Sequence, residues 1–262
     1  MPIERKIIVI IPARMGSTRF PGKPLAKILS KPMIQRVYEQ AKKARLVSEV
    51  IVATDDKRIM KVVQGFGGNT VMTSSDHVAG TDRVAEAAGK LDCDIVVNVQ
   101  GDEPLMPPEN IDLVVRSLLD NPQARISTLM MPCASAEEIL DPDNTKVVAN
   151  CKGEALYFSR SPIPFFREGM QKVKQASTVK EADLDYSNWH IHIGIYAFTK
   201  TFLLEFTQLP ESPLEKIEKL EQLRILQNGI PIKIITTDKK SIGVDHPSAI
   251  KEVEDILRNS ES

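Results

Sequence analysis

Three short apolar runs constrain the fold of this 262-residue chain more than any other feature: "IIVII" at 7–11, "VIVA" at 50–53 and "DIVVNV" at 94–99. Each is rich in β-branched residues and lacks the alternation of a half-exposed strand. Such runs suit strands buried on both faces of a parallel sheet. The stretches between and after them carry a helical period instead. Met33, Ile34, Val37, Ala41 and Ala44 form one apolar stripe; Val84, Ala87, Ala88 and Leu91 form a second; Ile111, Val114, Val115 and Leu118 form a third. Strand–helix alternation of this kind predicts an α/β fold, an open and mostly parallel central sheet flanked by helices.

Past residue 126 the pattern changes. "ISTLMMP", "TKVVANCKGEALYFS" and "WHIHIGIYAF" are strand-like, and "NCKGEA" (150–155) predicts a hairpin turn. The polar, aperiodic segment 167–188 is expected to be a loop or excursion. A helix over 214–227, a strand in "IPIKIITT" (230–237) and a last helix over 247–258 close the chain. We read residues 1–262 as one domain, with a nucleotide-binding half to about residue 125, a second part to about 240 and a C-terminal stretch from 241.

In open parallel sheets, ligands bind beyond the carboxyl ends of the strands. The loop after the first run, "PARMGSTRFPGKPL", brings Arg14, Arg19 and Lys23 to that edge, braced by Pro12, Pro21 and Pro24. Cations gathered there suit a nucleoside triphosphate, each close pair being worth up to about 4 kcal/mol at an effective dielectric of about 20. Arginine grips phosphate oxygens in pairs, while lysine is a point charge that can follow departing pyrophosphate. Two familiar phosphate loops are absent. A Walker A loop needs glycine where Ser17 stands and a hydroxyl where Pro24 stands. No G-x-G-x-x-G fingerprint occurs, which argues against a nicotinamide-dependent reductase. A solvated surface loop is the ordinary alternative, but edge position, proline bracing and cations coincide here.

A triphosphate enzyme needs magnesium held by one or two carboxylates together with phosphate oxygens. "VVNVQGDEP" places Gln100, Asp102 and Glu103 just after the third run, at the same edge as the basic loop. Asp102 also fits an ordinary turn before Pro104. Asp245 in "IGVDHPSAI" is a second candidate: Pro247 suits the first helical position and His246 the cap, so capping leaves Asp245 unexplained. Asp55 and Asp56 read as the start of a helix. His190 and His192 share one side of a strand; one is expected in a pocket and the other packed or in solvent. Glu218, Glu221 and Gln222 share a face of the helix from 214 to 227, and Glu218 reads as solvated there.

Composition bounds the rest. A formal net charge of −1 argues against nucleic-acid binding through the overall field. No apolar run is long enough for a bilayer, and "MPIERK" has no signal-peptide pattern, so the cytoplasm is the expected compartment. Cys93, Cys133 and Cys151 are far apart and read as buried, reduced thiols.

"IIPARMGSTRFPGKPL", "ATDD", "MTSSDHVAGTDR", "VNVQGDEP", "ALYFSRSPIPF", "HIGIYAF", "PLEKIEKLEQLR" and "GVDHP" occur in this order over almost the whole chain. Together they resemble the CMP-Kdo synthetases, the 3-deoxy-manno-octulosonate cytidylyltransferases. The resemblance implies a Rossmann-like nucleotide-diphospho-sugar transferase fold and a homodimer formed through a small β excursion. It also implies magnesium-dependent transfer of CMP from CTP to 3-deoxy-D-manno-octulosonate (Kdo), with release of pyrophosphate, for lipopolysaccharide biosynthesis. By matching position, Arg14 and Lys23 would hold the triphosphate, with Ser17 and Arg19 assisting. Main-chain groups near Pro12, Ala13, Met72, Thr73 and Ser74 would read the cytosine, and Asp102 and Asp245 would hold the metal. Gln100, Arg160, His192, Tyr196, Glu221 and Gln222 would line the sugar-acid pocket, with Arg160 facing the sugar carboxylate. The chain departs from the family pattern at Ala79, Ser161 and Ile191, positions that bear on the sugar. The rival readings are a cytidylyltransferase for 8-amino-Kdo or a nonulosonic acid, and a non-catalytic nucleotide-binding regulator.

Overall fold

The computed structural model describes residues 5–16, 20–167 and 186–260. The first apolar run becomes β1 (Ile7–Ala13), followed by the two-residue strands β2 (Lys27–Ile28) and β3 (Lys31–Pro32) and helix α1 (Met33–Ala41). Strand β4 (Glu49–Thr54), helix α2 (Lys57–Gly65), strand β5 (Asn69–Met72), helix α3 (Gly80–Gly89), strand β6 (Ile95–Asn98) and helix α4 (Pro108–Asp120) continue the alternation. Then come β7 (Ile126–Pro132), α5 (Ala136–Leu140), β8 (Lys146–Ala149), β9 (Ala155–Ser159) and β10 (His190–Thr199). The chain ends with α6 (Lys200–Phe206), α7 (Pro213–Glu218), α8 (Gln222–Gln227), β11 (Lys233–Thr236) and α9 (Ala249–Ser260).

The main sheet has nine strands in the order β11-β7-β10-β6-β1-β4-β5, with β8 joined to β10 and β9 to β8. β1 pairs in parallel with β4 and β6, and β4 with β5. β10 runs antiparallel to β6, β7 and β8, and β9 runs antiparallel to β8. β10 and β9 therefore oppose all the other strands, and the sheet is mixed but mostly parallel.

Residues of β1 explain the two-sided burial. Ile7, Val9 and Ile11 enter one core with Val37 of α1, Ile59 of α2, Val114 of α4 and Val253 of α9. Ile8 and Ile10 enter the other core with Val84 and Ala88 of α3 and Phe202 of α6. Successive side chains point to opposite faces of a strand, so a continuous apolar run feeds both layers. Each fully buried isoleucine stabilises the fold by roughly 1.5–3 kcal/mol before strain and entropy are counted.

Several sequence expectations change. The helix expected over 214–227 is two helices, α7 and α8, separated at Lys219, whose φ of 55° is left-handed. Ser212 and Glu215 form a capping box at the start of α7. Glu215 then pairs with Arg224 of α8 at 2.6 Å, which pins the two helices at an angle no single helix would allow. The strand expected over 230–237 covers only Lys233–Thr236. The last helix starts at Ala249 rather than Pro247, because residues 247 and 248 form a turn in which Ala249 N–H donates to His246 O. Ala44 and Leu91 lie just beyond their helices and still pack on the cores.

The hairpin at 150–155 forms as expected: Asn150 Oδ1 accepts from Lys152 N and Glu154 N, and Gly153 takes a φ of 67°. Cys93 and Cys133 are buried, but Cys151 is exposed at that hairpin's tip, so the expectation of three buried thiols fails for it. Of the excursion expected at 167–188, residues 186–188 form a 3-10 turn, and 168–185 lie outside the described residues. No described helix is long and apolar enough to cross a membrane.

Candidate active site

The carboxyl ends of β1, β4 and β6 meet at one edge, and the loop after β1 folds back across it. Gly22 permits this fold with a φ of 74°, donating its N–H to Met15 O. Lys23 then opens a 3-10 turn with Pro24 and is only 13% exposed. Its ammonium lies 2.5 Å from Asp102 Oδ2 and 3.4 Å from Asp245 Oδ1. Three segments far apart in sequence thus converge on one point.

Two further contacts deliver Asp245. Val244 N–H donates to Asp102 O at 2.8 Å, and the Ser241 hydroxyl donates to Glu103 Oε2. Burial, reinforced by Asp102 and Asp245, pushes the Glu103 carboxyl up to about 7 against the opposing hydrogen bond from Ser241. Gly101 sits so close to β1 that a Cβ there would lie 2.7 Å from Pro12 O. Only glycine lets the Gln100–Asp102 turn approach the basic loop this closely.

Lys23 also tests whether a metal fits, since one cation already reaches both aspartates. Among the described residues no group of three or more His, Cys, Asp or Glu is placed to hold a metal. Two carboxylates suit magnesium, which keeps waters and takes phosphate oxygens as its other ligands. They are too few for a structural zinc site. Asp56 is instead the cap of α2, accepting from Arg58 N, and Asp55 pairs with buried Arg83 at 3.0 Å.

Beside the cluster lies a cavity of about 290 Å³, lined by Pro12, Ala13, Arg14, Lys23, Gln100 and Asp102 on one side and by His77, Ala79, Gly80 and Arg83 on the other. Arg14 reaches over it to donate to Val78 O at 3.1 Å. His77 Nε2 lies 2.5 Å from Glu86 Oε2. Glu86, held near 2 chiefly by Lys90 and by the Ser74 N–H, is an ionised anchor for this loop. Met72, Thr73 and Ser74 are not brought into this wall. The Thr73 N–H donates to Thr54 O, the Ser74 N–H donates to Glu86, and Met72 O accepts from Lys90 Nζ. Ser17 and Arg19 lie outside the described residues.

A second cavity, of about 320 Å³, opens alongside and shares Gly80 and Gln100 with the first. His192, Tyr196, Glu221 and Gln222 line it, with Thr81, Thr145 and Gly194. Thr128 donates its hydroxyl to Ile195 O at 2.7 Å while lying 2.9 Å from His192 Nε2. That hydroxyl has one proton, so His192 Nε2 carries the hydrogen and Nδ1 is left an acceptor. Burial holds His192 down to about 3, so the ring is neutral. Burial also raises the Glu221 carboxyl, opposed by a hydrogen bond with Thr81, and raises the Tyr196 phenol with Glu221 adding.

Two expected roles are corrected. Arg160 does not face this cavity: its Nε donates to Glu218 O and its Nη1 to Pro142 O. Glu218 is not a solvated helix-face residue, since its carboxylate accepts from the Ser159 hydroxyl at 2.7 Å and from Arg160 N at 3.0 Å. His77, Thr81, Arg83 and Thr145 were missed as lining residues. The start of α3 at the ligand-binding edge was the available signal for Thr81; nothing local marks Thr145, which arrives through the His192 N–H bond to its carbonyl.

Lys23, Asp102 and Asp245 meet beside two adjoining cavities, an arrangement suited to group transfer between two substrates. In this setting the fold and site define an α/β nucleotidyltransferase. The cytidylyltransferase profile matches residues 8–241, and the chain belongs to that family. It is 50% identical over 252 residues to 3-deoxy-manno-octulosonate cytidylyltransferase of Geobacter sulfurreducens, spanning 96% of this chain and 99% of that protein. The homologous protein of Solibacter usitatus is 44% identical over 98% of this chain and 97% of its own length. A solved CMP:2-keto-3-deoxy-manno-octonic acid synthetase complexed with CTP superposes with a TM-score of 0.87 at 41% identity, covering 97% of this chain and 99% of that one.

Proposed function

We propose that this chain transfers CMP from CTP to the anomeric hydroxyl of Kdo, giving CMP-Kdo and pyrophosphate. The observation that carries the reading is the meeting of Lys23, Asp102 and Asp245 beside two adjoining cavities. The first cavity takes the nucleotide, with Arg14 and Lys23 facing its phosphates; the second takes the sugar acid. Gln100, in both walls, stands where the two substrates meet. In this arrangement the sugar hydroxyl attacks the α-phosphorus, the bond to the bridging oxygen of pyrophosphate breaks, and the hydroxyl proton passes to solvent. The reaction gains mainly from positioning and charge stabilisation rather than from a side-chain nucleophile. Asp102 and Asp245 would hold magnesium, which when bound would polarise the α-phosphate and the incoming hydroxyl. Lys23 neutralises the departing pyrophosphate.

Pyrophosphate release measured with CTP, magnesium and a panel of Kdo, 8-amino-Kdo and a nonulosonic acid tests the reading. Kdo is expected to give the highest kcat/KM; preference for another acid, or no release with any, would overturn it.

The homodimer belongs to the same reading. Leu156 of β9 and Phe165 in the loop after it are 59% and 69% exposed, large apolar side chains that a second copy would cover. Leu156→Glu is expected to shift the protein from dimer to monomer in sedimentation, and a monomeric wild type would contradict this.

A further inference from the structure

Glu103 follows Asp102 in the turn after β6, but its carboxylate has a partner of its own. Lys23 pairs with Asp102 and Asp245. Glu103 Oε2 accepts from the Ser241 hydroxyl, and Gly243 sits so near Oε1 that a Cβ there would lie 3.4 Å from it. Both carboxylate oxygens therefore face the stretch that leads to Asp245. The backbone of Glu103 is itself held. Its N–H donates to Gln100 O at 3.2 Å, and its carbonyl accepts from the N–H of buried Met106 at 3.1 Å.

The stretch from 239 to 245 is neither helix nor strand, so no regular backbone ladder fixes its course. Asn110 of α4 holds its start, donating from Nδ2 to Lys239 O at 2.9 Å. Buried Val244 holds its end, through the N–H donated to Asp102 O at 2.8 Å. Ile242 and Gly243 have no side-chain hydrogen-bonding group, which leaves the Ser241 hydroxyl to fasten the middle to the turn. The Asp245 side chain is 53% exposed against 29% for Asp102, so its place follows from the backbone that delivers it. We propose that the Ser241–Glu103 hydrogen bond is a positioning clasp that sets Asp245 against Asp102 and so governs the pair's grip on a divalent cation. This rests on the reading of the two aspartates as the magnesium pair. Glu103 is not a third ligand in this scheme. Its carboxylate is engaged by Ser241, and among the described residues no three such groups are placed to hold a metal.

The test measures Mn2+, standing in for magnesium, bound to the full-length protein by equilibrium dialysis, with CTP present and the sugar acid left out so that nothing turns over. Ser241→Ala removes the donor and leaves every carboxylate in place. It is expected to weaken Mn2+ binding about tenfold, the low end for losing a group that orients a metal ligand. Ser241→Thr restores the hydroxyl and should bind Mn2+ within about threefold of wild type. In an Asp245→Asn background Ser241→Ala should weaken binding no further, because the clasp acts through Asp245. Urea unfolding of the same proteins separates this from a merely structural role, which would lower stability and leave Mn2+ affinity alone. The proposal is overturned if Ser241→Ala binds Mn2+ within about threefold of wild type, if Ser241→Thr fails to rescue, or if the loss persists without the Asp245 carboxylate. If Asp245→Asn alone binds Mn2+ as wild type does, the reading of the two aspartates as the magnesium pair is wrong as well.

Discussion

Lys23 is the residue on which the site turns. It bridges Asp102 and Asp245, whose like charges would otherwise repel at the mouth of the cavity. In the proposed reaction the same ammonium faces the phosphates of CTP. Lys23→Ala is expected to lower kcat about a hundredfold, roughly 3 kcal/mol of transition-state stabilisation. Undiminished kcat at saturating substrates would remove Lys23 from the chemistry. His192 makes a prediction of a different kind. Its folded pKa, about 3, lies below the ordinary value of 6.5 because the ring is buried. Between those values the unfolded chain binds a proton that the folded protein does not. Stability is therefore full above about pH 6.5 and falls as the pH drops toward 3. Replacing His192 with Gln should flatten the pH dependence of urea unfolding by about one proton, or about 1.4 kcal/mol per pH unit, between pH 4 and 6. Identical slopes in the two proteins would contradict the buried, neutral imidazole.

At the scale of elements, the parallel half was legible because its signal is local. A doubly buried strand is apolar over most of its length: "IIVII" is so throughout, and β6 in "DIVVNV" is interrupted only by Asn98. The α7–α8 break was not legible, since "IEKLEQ" has ordinary helix formers at every position and no glycine at the left-handed residue. It is imposed by tertiary contacts, above all the Glu215–Arg224 pair and Arg224 lying over Phe206 at 4.9 Å. Arg160 failed for a similar reason: a lone arginine after a strand carries no mark of whether a ligand or backbone carbonyls will satisfy it. Asp102 could be named from its place just after the third apolar run, and Asp245 because capping left it unexplained, yet their approach depends on backbone geometry. Gly101→Ala tests that geometry. The added methyl would meet Pro12 O at 2.7 Å, so the turn must move. We expect a stability loss of about 1–3 kcal/mol in urea unfolding. Activity should fall further than stability explains. A variant of wild-type stability and rate would show that the close approach is dispensable.

For the molecule as a whole, the sheet does the organising. β6 and β1 bring the carboxylate turn and the basic loop to one edge, β10 crosses beside them carrying His192 and Tyr196, and the stretch before α9 returns Asp245 from the far end of the chain. No one segment holds the site, which is why ordered motifs along the whole length were more informative than any single string. The central claim is that these segments assemble one magnesium-dependent centre for CMP transfer, and pyrophosphate release by Asp102→Asn and Asp245→Asn tests it most directly. With CTP, magnesium and Kdo all present, each variant should be at least about a hundredfold slower than wild type, and wild type should release no pyrophosphate when Kdo is omitted. Wild-type rates in either variant, or release independent of Kdo, would contradict the account.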